Sequence, residues 1–193
     1  IFTCPVGAYY TGPVRVKVEQ HFTRAAHGGT GAAKAAGNYA GSLYPTELAK
    51  SEGFDQILWT DAATHEHVEE CGTMNVAFVL GGKLVVPKTS DTVLSGVTRA
   101  SAIKLAAHHG VEVEERRVTV KELADAAKSG ALTEAFGLGT AATVSPICTL
   151  GFEGDVVDLP AYEDWTIAPM VKQELDNVRY GRGEDPFGWN IPV

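Results

Sequence analysis

The sequence predicts an α+β fold in one domain, on three observations. Strand-like and helix-like stretches alternate irregularly, without the strict βα order of a doubly wound sheet. The 193 residues, 45% of them hydrophobic, suffice for a real core. The 21 glycines signal many tight turns and close backbone approaches. No internal repeat, low-complexity tract or charged linker divides the chain.

The elements follow in order. The opening IFTCPVGAYY is apolar and strand-like, lacks an initiator methionine, and reads as the middle of a longer protein. Residues 14–20 (VRVKVEQ) alternate and predict a strand. A glycine-rich stretch follows, and residues 39–51 read as a helix that Pro45 bends or starts. Residues 56–61, 75–80 and 83–87 are short apolar runs bounded by Gly or Asp, hence strands, with Gly81-Gly82 as a hairpin turn. Residues 95–109 predict a helix with Val97, Ala100, Ile103 and Ala107 on one face and Gly110 as its stop. Residues 111–118 predict another strand. Thr119-Val120-Lys121-Glu122 has capping-box spacing and opens a helix to Lys128. Residues 135–144 are interrupted by glycine, and 149–157 predict a hairpin around Glu153-Gly154-Asp155. A helix over 167–180, ended by Gly181, closes the chain.

Composition removes several function classes. The net charge is −8 and the basic residues cluster nowhere beyond Arg116-Arg117, which argues against nucleic acid as a partner. No apolar run reaches the length of a membrane span, and no signal-peptide pattern opens the chain. Cys4, Cys71 and Cys148 are odd in number and lack a CxxC, which points to a reducing, cytoplasmic setting.

Chemistry concentrates in a few motifs. Residues 28–44 read GGTGAAKAAGNYAGSLY, with Lys34 as the single lysine. Small apolar neighbours would let its amine be partly dehydrated, which lowers the pKa and suits a Schiff-base lysine. Taken alone, this window fits a flexible loop with an exposed lysine better than a Schiff-base site. It is not a phosphate loop of the Walker type, because Ala33 and Ala35 flank the lysine where glycine and a hydroxyl are needed. His65-Glu66-His67 places two imidazoles on one face of an extended segment, but lacks a third ligand and reads better as a solvated edge. Glu69 and Glu70, in VEECGTMN, suggest a carboxylate at the rim of a sheet. LSGVTR opens a helix whose free N–H groups can take an anion. FGLGTAA forms a second loop of small residues with a hydroxyl. An amine, a carboxylate and two phosphate-holding loops are what pyridoxal phosphate requires.

In this order the motifs CPVGAYY, KAAGNY, EECGTMN, LSGVTR, EERRVTVKEL, GLGTAATVSP and WNIPV resemble the fold type IV pyridoxal-phosphate enzymes, and within them the branched-chain amino acid aminotransferases. The resemblance implies a D-amino acid aminotransferase-like large domain, a mixed sheet or pseudo-barrel flanked by helices. The whole chain 1–193 would be that cofactor-bearing domain, with 1–13 as an interdomain segment and the smaller N-terminal domain absent. It further implies pyridoxal 5'-phosphate as cofactor, with Lys34 as the Schiff-base lysine and proton carrier. Tyr39 would bond the cofactor's phenolic oxygen, and Glu70 would pair with its pyridine nitrogen. Val97, Thr98 and Thr140 would hold the phosphate. Thr73, Ala141 and Ala142 would meet the substrate carboxylate, and Tyr9 would wall the side-chain pocket. The implied reaction is transamination of leucine, isoleucine and valine with 2-oxoglutarate by a homodimer. A D-amino acid transaminase, an aminodeoxychorismate lyase or a silent cofactor-binding fragment are the alternatives.

Overall fold

Alternating Val14, Val16 and Val18 bury one face of strand β1 (Val14–Val18), the first element of the computed structural model, which describes residues 4–5 and 12–191. The other strands are β2 (Gln56–Thr60), β3 (Val68–Cys71), β4 (Asn75–Leu80), β5 (Lys83–Pro87), β6 (Val113–Arg116), β7 (Leu132–Gly139), β8 (Thr143–Phe152) and β9 (Asp155–Asp158). Among the described residues they form one mixed sheet in the order β3-β2-β1-β8-β7-β4-β5-β6, with β9 also on β8. Strand β8 joins the two halves. Its first residues pair antiparallel with β7, and from Ile147 onward it lies parallel to β1 and then antiparallel to β9. That double pairing curls the sheet into a half-barrel. The remaining parallel pairs are β1 with β2 and β5 with β6.

The helices are α1 (Ala36–Ala40), α2 (Leu43–Ser51), α3 (Val97–His108), α4 (Val120–Ser129) and α5 (Ile167–Arg179). Local signals set several boundaries. Gly81 and Gly82, at φ +56° and +81°, make the β4–β5 turn that needs two positive φ values. Thr119 accepts from the Glu122 N–H at 3.0 Å, and Gly130 ends α4 in the left-handed region. The expected hairpin is present too, with Phe152 opposite Asp155 across Gly154.

Other expectations need correction. The helix expected over 39–51 is two helices, and it starts earlier. The Gly41 and Ser42 N–H groups stay hydrogen-bonded to Gly37 and Tyr39, while the Ser42 hydroxyl donates to the Tyr39 carbonyl at 2.6 Å. Pro45 falls in the first turn of α2, where the missing N–H has no intrahelical acceptor to lose. Of the α3 face expected to be apolar and inward, Val97, Ala100 and Ala107 are exposed and only Ile103 packs against the core, partly buried. Val97 is 78% exposed, whereas Arg99, Ala102, Leu105 and Ala106 are buried. Polar residues (Thr98, Arg99, Ser101, Lys104, His108) are scattered round the helix among the apolar ones, so periodicity carries no direction. Arg99 turns inward because Pro87 O and Glu115 Oε2 receive its Nη2. The glycine-interrupted stretch 135–144 is the end of β7, a three-residue turn and the start of β8.

The main core lies between one face of the sheet and α3, α4 and α5. A smaller cluster of Ala49, Phe54, Ile57 and Trp59 sits on the opposite side of β2, beneath α2. Full burial of each large aliphatic side chain contributes about 1.5–3 kcal/mol, so α5 is held chiefly by Ile167, Val171, Leu175 and Val178. Among the described residues no helix is long and apolar enough to cross a membrane.

Candidate active site

The lysine segment is tied down rather than loose. Asn38 donates from Nδ2 to the carbonyls of Thr30 (2.8 Å) and Ala33 (2.9 Å), and its Oδ1 accepts from the Thr30 hydroxyl at 2.8 Å. The Ala32 N–H reaches Asp91 O at 2.9 Å, and the Gly28 N–H reaches the Asp91 carboxylate at 2.8 Å. Gly31 has no alternative here, since a Cβ would stand 2.5 Å from Thr92 Cα. At the end of this scaffold Lys34 Nζ donates to the Tyr39 hydroxyl at 2.9 Å. Lys34 is exposed, so the described chain does not supply the dehydration expected from its apolar neighbours. Their small size serves close packing of loop on loop instead.

Strand β3 occupies the end of the strand order, and its two carboxylates are buried there. Successive residues of a strand face opposite ways. Glu69 accepts from the Thr92 hydroxyl in a short contact, while Glu70 lines the cavity beside Lys34. Glu70 Oε1 accepts from the Leu94 N–H at 2.7 Å and from Asn75 Nδ2 at 3.3 Å, and Oε2 lies 2.9 Å from Arg24 Nε. Burial pushes the Glu70 carboxyl up to about 7, against the pull of Arg24, the Leu94 N–H and Lys34. Burial also raises Glu69, opposed by the Thr92 hydroxyl.

The third wall is the start of α3, capped by Gly96 in extended geometry. Its first N–H groups have no intrahelical acceptor. Asn75 fixes the approach by donating to Leu94 O at 2.8 Å. A Cβ at Gly96 would strike Asn75 Oδ1. The fourth wall is the turn between β7 and β8. Gly137 and Gly139 leave room for Met74 beneath it, and Thr143, buried at φ +60°, is held by a hydrogen bond from Arg179 Nη1. A β-branched residue in that region is strained, and its neighbours fix it.

Lys34, Tyr39, Glu70, Thr73, Val97, Thr98, Thr140, Ala141 and Ala142 all line one cavity of about 480 Å³. Tyr9, the remaining expected site residue, lies outside the described residues. Met74, Asn75, Leu94, Gly96, Leu138 and Gly139 complete the walls and were not singled out as site residues. Asn75 and Met74 stand inside VEECGTMN, so that motif was their signal. Arg24 had none, since a lone arginine before a glycine-rich stretch reads as solvated. The two-histidine segment stays apart from this cavity. His65 Nδ1 bonds the Thr60 hydroxyl and His67 faces Asp61.

The arrangement suits pyridoxal phosphate. An amine and a phenol 2.9 Å apart form one wall. A carboxylate offers about four acceptor positions, and protein donors fill three of those of Glu70. A helix start and a threonine hydroxyl face the same space, whose volume falls in the range of small-molecule sites.

Fold and cavity together bring a lysine amine, a phenol, a buried carboxylate and a helix start around one space of small-molecule size. Residues 5–150 match the model of the amino-transferase class IV family, and the chain belongs to that family. It is 42% identical over 197 residues to branched-chain-amino-acid transaminase 1 of Bacillus subtilis (strain 168), covering 100% of this chain and 55% of that protein. The fold is similar to that of the branched-chain aminotransferase from Thermoproteus uzoniensis crystallised with norvaline, with TM-score 0.80 and 28% identity over 98% of this chain and 59% of that one. It is also similar to the branched-chain amino acid aminotransferase from Thermobaculum terrenum in its PLP form, with TM-score 0.72 and 27% identity over 89% and 52%. The chain thus spans about half the length of the relatives it matches.

Proposed function

We propose that this chain is the large, cofactor-bearing half of a pyridoxal-phosphate-dependent aminotransferase acting on leucine, isoleucine and valine with 2-oxoglutarate. The observation that carries the proposal is the convergence of Lys34, Tyr39 and Glu70 with the α3 start and Thr140 on one cavity. When bound, the cofactor supplies an electron sink for the carbanion formed at the substrate's α-carbon. Lys34 is the one lysine among the described lining residues, so it both anchors the cofactor and carries the proton to and from that carbon. Tyr39 orients the Lys34 amine and holds the cofactor's phenolic oxygen. Glu70, as carboxylate, keeps the pyridine nitrogen protonated. Val97 and Thr98 N–H groups with the Thr140 hydroxyl hold the phosphate. Thr73, Ala141 and Ala142 meet the substrate carboxylate, and Leu138, Met74 and Val97 give the cavity the apolar surface that suits a branched side chain. The same reading makes the complete enzyme a cytoplasmic homodimer, with the second half of the protein closing the cavity.

Borohydride reduction after incubation with pyridoxal phosphate tests the assignment. The cofactor mass is expected on the peptide containing Lys34 and lost in Lys34→Ala. Labelling that survives in Lys34→Ala at wild-type level would refute it. Leucine turnover by the chain alone then separates a self-sufficient enzyme from a cofactor-binding half.

A further inference from the structure

Arg24 lies in no helix or strand, yet its side chain is only 2% exposed. Nε stands 2.9 Å from Glu70 Oε2, whose side chain is equally buried. Nη1 donates to Thr92 O at 2.8 Å and to Gly31 O at 3.3 Å. One guanidinium therefore joins three segments distant in sequence: the loop that ends in Lys34, the strand that presents Glu70, and the lead-in to α3. Gly31 and Thr92 are drawn so close at this junction that no side chain fits between them.

We propose that Arg24 is the positioning residue of this site, holding Glu70 as a carboxylate turned to the cofactor's pyridine nitrogen and fixing the Lys34 loop against the α3 lead-in. The inference rests on the reading of the cavity as a pyridoxal-phosphate site. A carboxylate buried without a cationic partner takes up a proton rather than remain charged. Protonated, Glu70 would present a donor where an acceptor is required. The groups facing it are Arg24 and Lys34 as cations, with Glu69 as a like charge and the buried Cys71 thiol beside it on β3. Lys34 is exposed and engaged with Tyr39, which leaves Arg24 as its buried counter-charge. The role needs the planar fork, because a lysine offers a point charge that can meet Glu70 without also bridging two carbonyls.

The test follows the Glu70 carboxyl by ¹³C NMR across pH in the full chain without cofactor, its signal identified by its loss in Glu70→Gln. In Arg24→Met the titration midpoint is expected at least about one pH unit above wild type, as for loss of an adjacent opposite charge. Arg24→Lys is expected to keep the midpoint within about half a unit of wild type and still lose amide-exchange protection at residues 31–34 and 92–94, because charge is retained and the fork is not. Pyridoxal phosphate affinity, read by calorimetry, is expected to fall at least about tenfold in Arg24→Met, the equivalent of one such unit. An unchanged midpoint in Arg24→Met overturns the proposal. If Arg24→Met does not fold, Arg24→Lys decides: wild-type protection and wild-type cofactor affinity there overturn the proposal, and loss of both supports it. Wild-type chain that binds no pyridoxal phosphate would overturn the cofactor reading, while the NMR titration still decides whether Arg24 governs Glu70.

Discussion

Glu134 on β7 carries the start of the last helix, and removing it gives a quantitative test of how the fold is held. Its carboxylate is 3% exposed and accepts from the N–H groups of Thr166 (2.8 Å), Ile167 (2.9 Å) and Ala168 (2.7 Å), with the Thr166 hydroxyl at 3.4 Å. These are donors that a helix cannot satisfy internally, and the charge also sits at the positive end of the helix dipole. In Glu134→Ala the exposed Thr166 can turn to water, but Ile167 and Ala168 are buried. Two unmet buried donors cost about 1–3 kcal/mol each, and loss of the dipole interaction adds about 0.3–1 kcal/mol. The expected destabilisation is therefore about 4 kcal/mol, or roughly 10 °C in Tm for a domain of this size. Urea and thermal unfolding measure it directly. Glu134→Gln keeps the shape and one acceptor oxygen, so about half that loss is expected. Helix α5 also bears Arg179, which holds the strained turn at Thr143 beside the cavity, so cofactor affinity should fall along with stability. A Glu134→Ala protein within about 1 kcal/mol of wild type would refute the reasoning, since even one buried unmet donor costs that much.

Further predictions concern the loops and the pH response. Gly31→Ala must push its new Cβ away from Thr92 backbone atoms 2.5–2.7 Å distant, at a cost of about 1–3 kcal/mol, with loss of cofactor binding. Gly37→Ala, inside α1 with nothing within 4 Å of its Cβ, should instead stabilise by about 0.5–1 kcal/mol. Equal melting shifts in the two variants would show that loop contact is irrelevant. Burial alone would raise the Asp61 carboxyl, but the N–H groups of His67, Thr64 and Glu66 and the Thr64 hydroxyl hold it well below its ordinary 3.8. A depressed carboxylate contributes stability that is present above its unfolded value and lost as pH falls below about 4. Asp61→Asn should therefore cost on the order of 2 kcal/mol at neutral pH and flatten the acid limb of a stability profile. An unchanged acid limb would count against those hydrogen bonds.

How legible the molecule is in its sequence depends on the range of the physics involved. Turns and caps are local, and Gly81-Gly82, the Thr119–Glu122 cap and the Gly154 hairpin fall where the sequence places them. The strands over 75–80 and 83–87 carry their own apolar runs and agree with β4 and β5. The buried face of α3 was not legible, because polar and apolar residues are scattered round it, Arg99 falls on the inner side, and only the sheet beneath selects a side. The site motifs were legible only as an ordered set, since GGTGAAK or GLGTAA alone fits a plain loop and their succession along the chain carries the resemblance. Arg24 was invisible because its importance comes from Gly31, Glu70 and Thr92, none of them near enough in sequence to suggest it.

The sequence by itself determined the α+β class, the single lysine of the glycine-rich segment, and the set of motifs that place the chain among pyridoxal-phosphate enzymes. The fold class follows from the order of strand-like and helix-like stretches, the lysine is read directly, and the enzyme class rests on the resemblance carried by the motifs in their order. Only the tertiary structure decided that the lysine loop is bound to Asp91 and Thr92 rather than free, and that Glu70 is buried against Arg24. It also decided which residues meet in one cavity. Charge state and orientation at the site follow from burial and from partners brought together across the sheet, and neither quantity exists until the chain has folded.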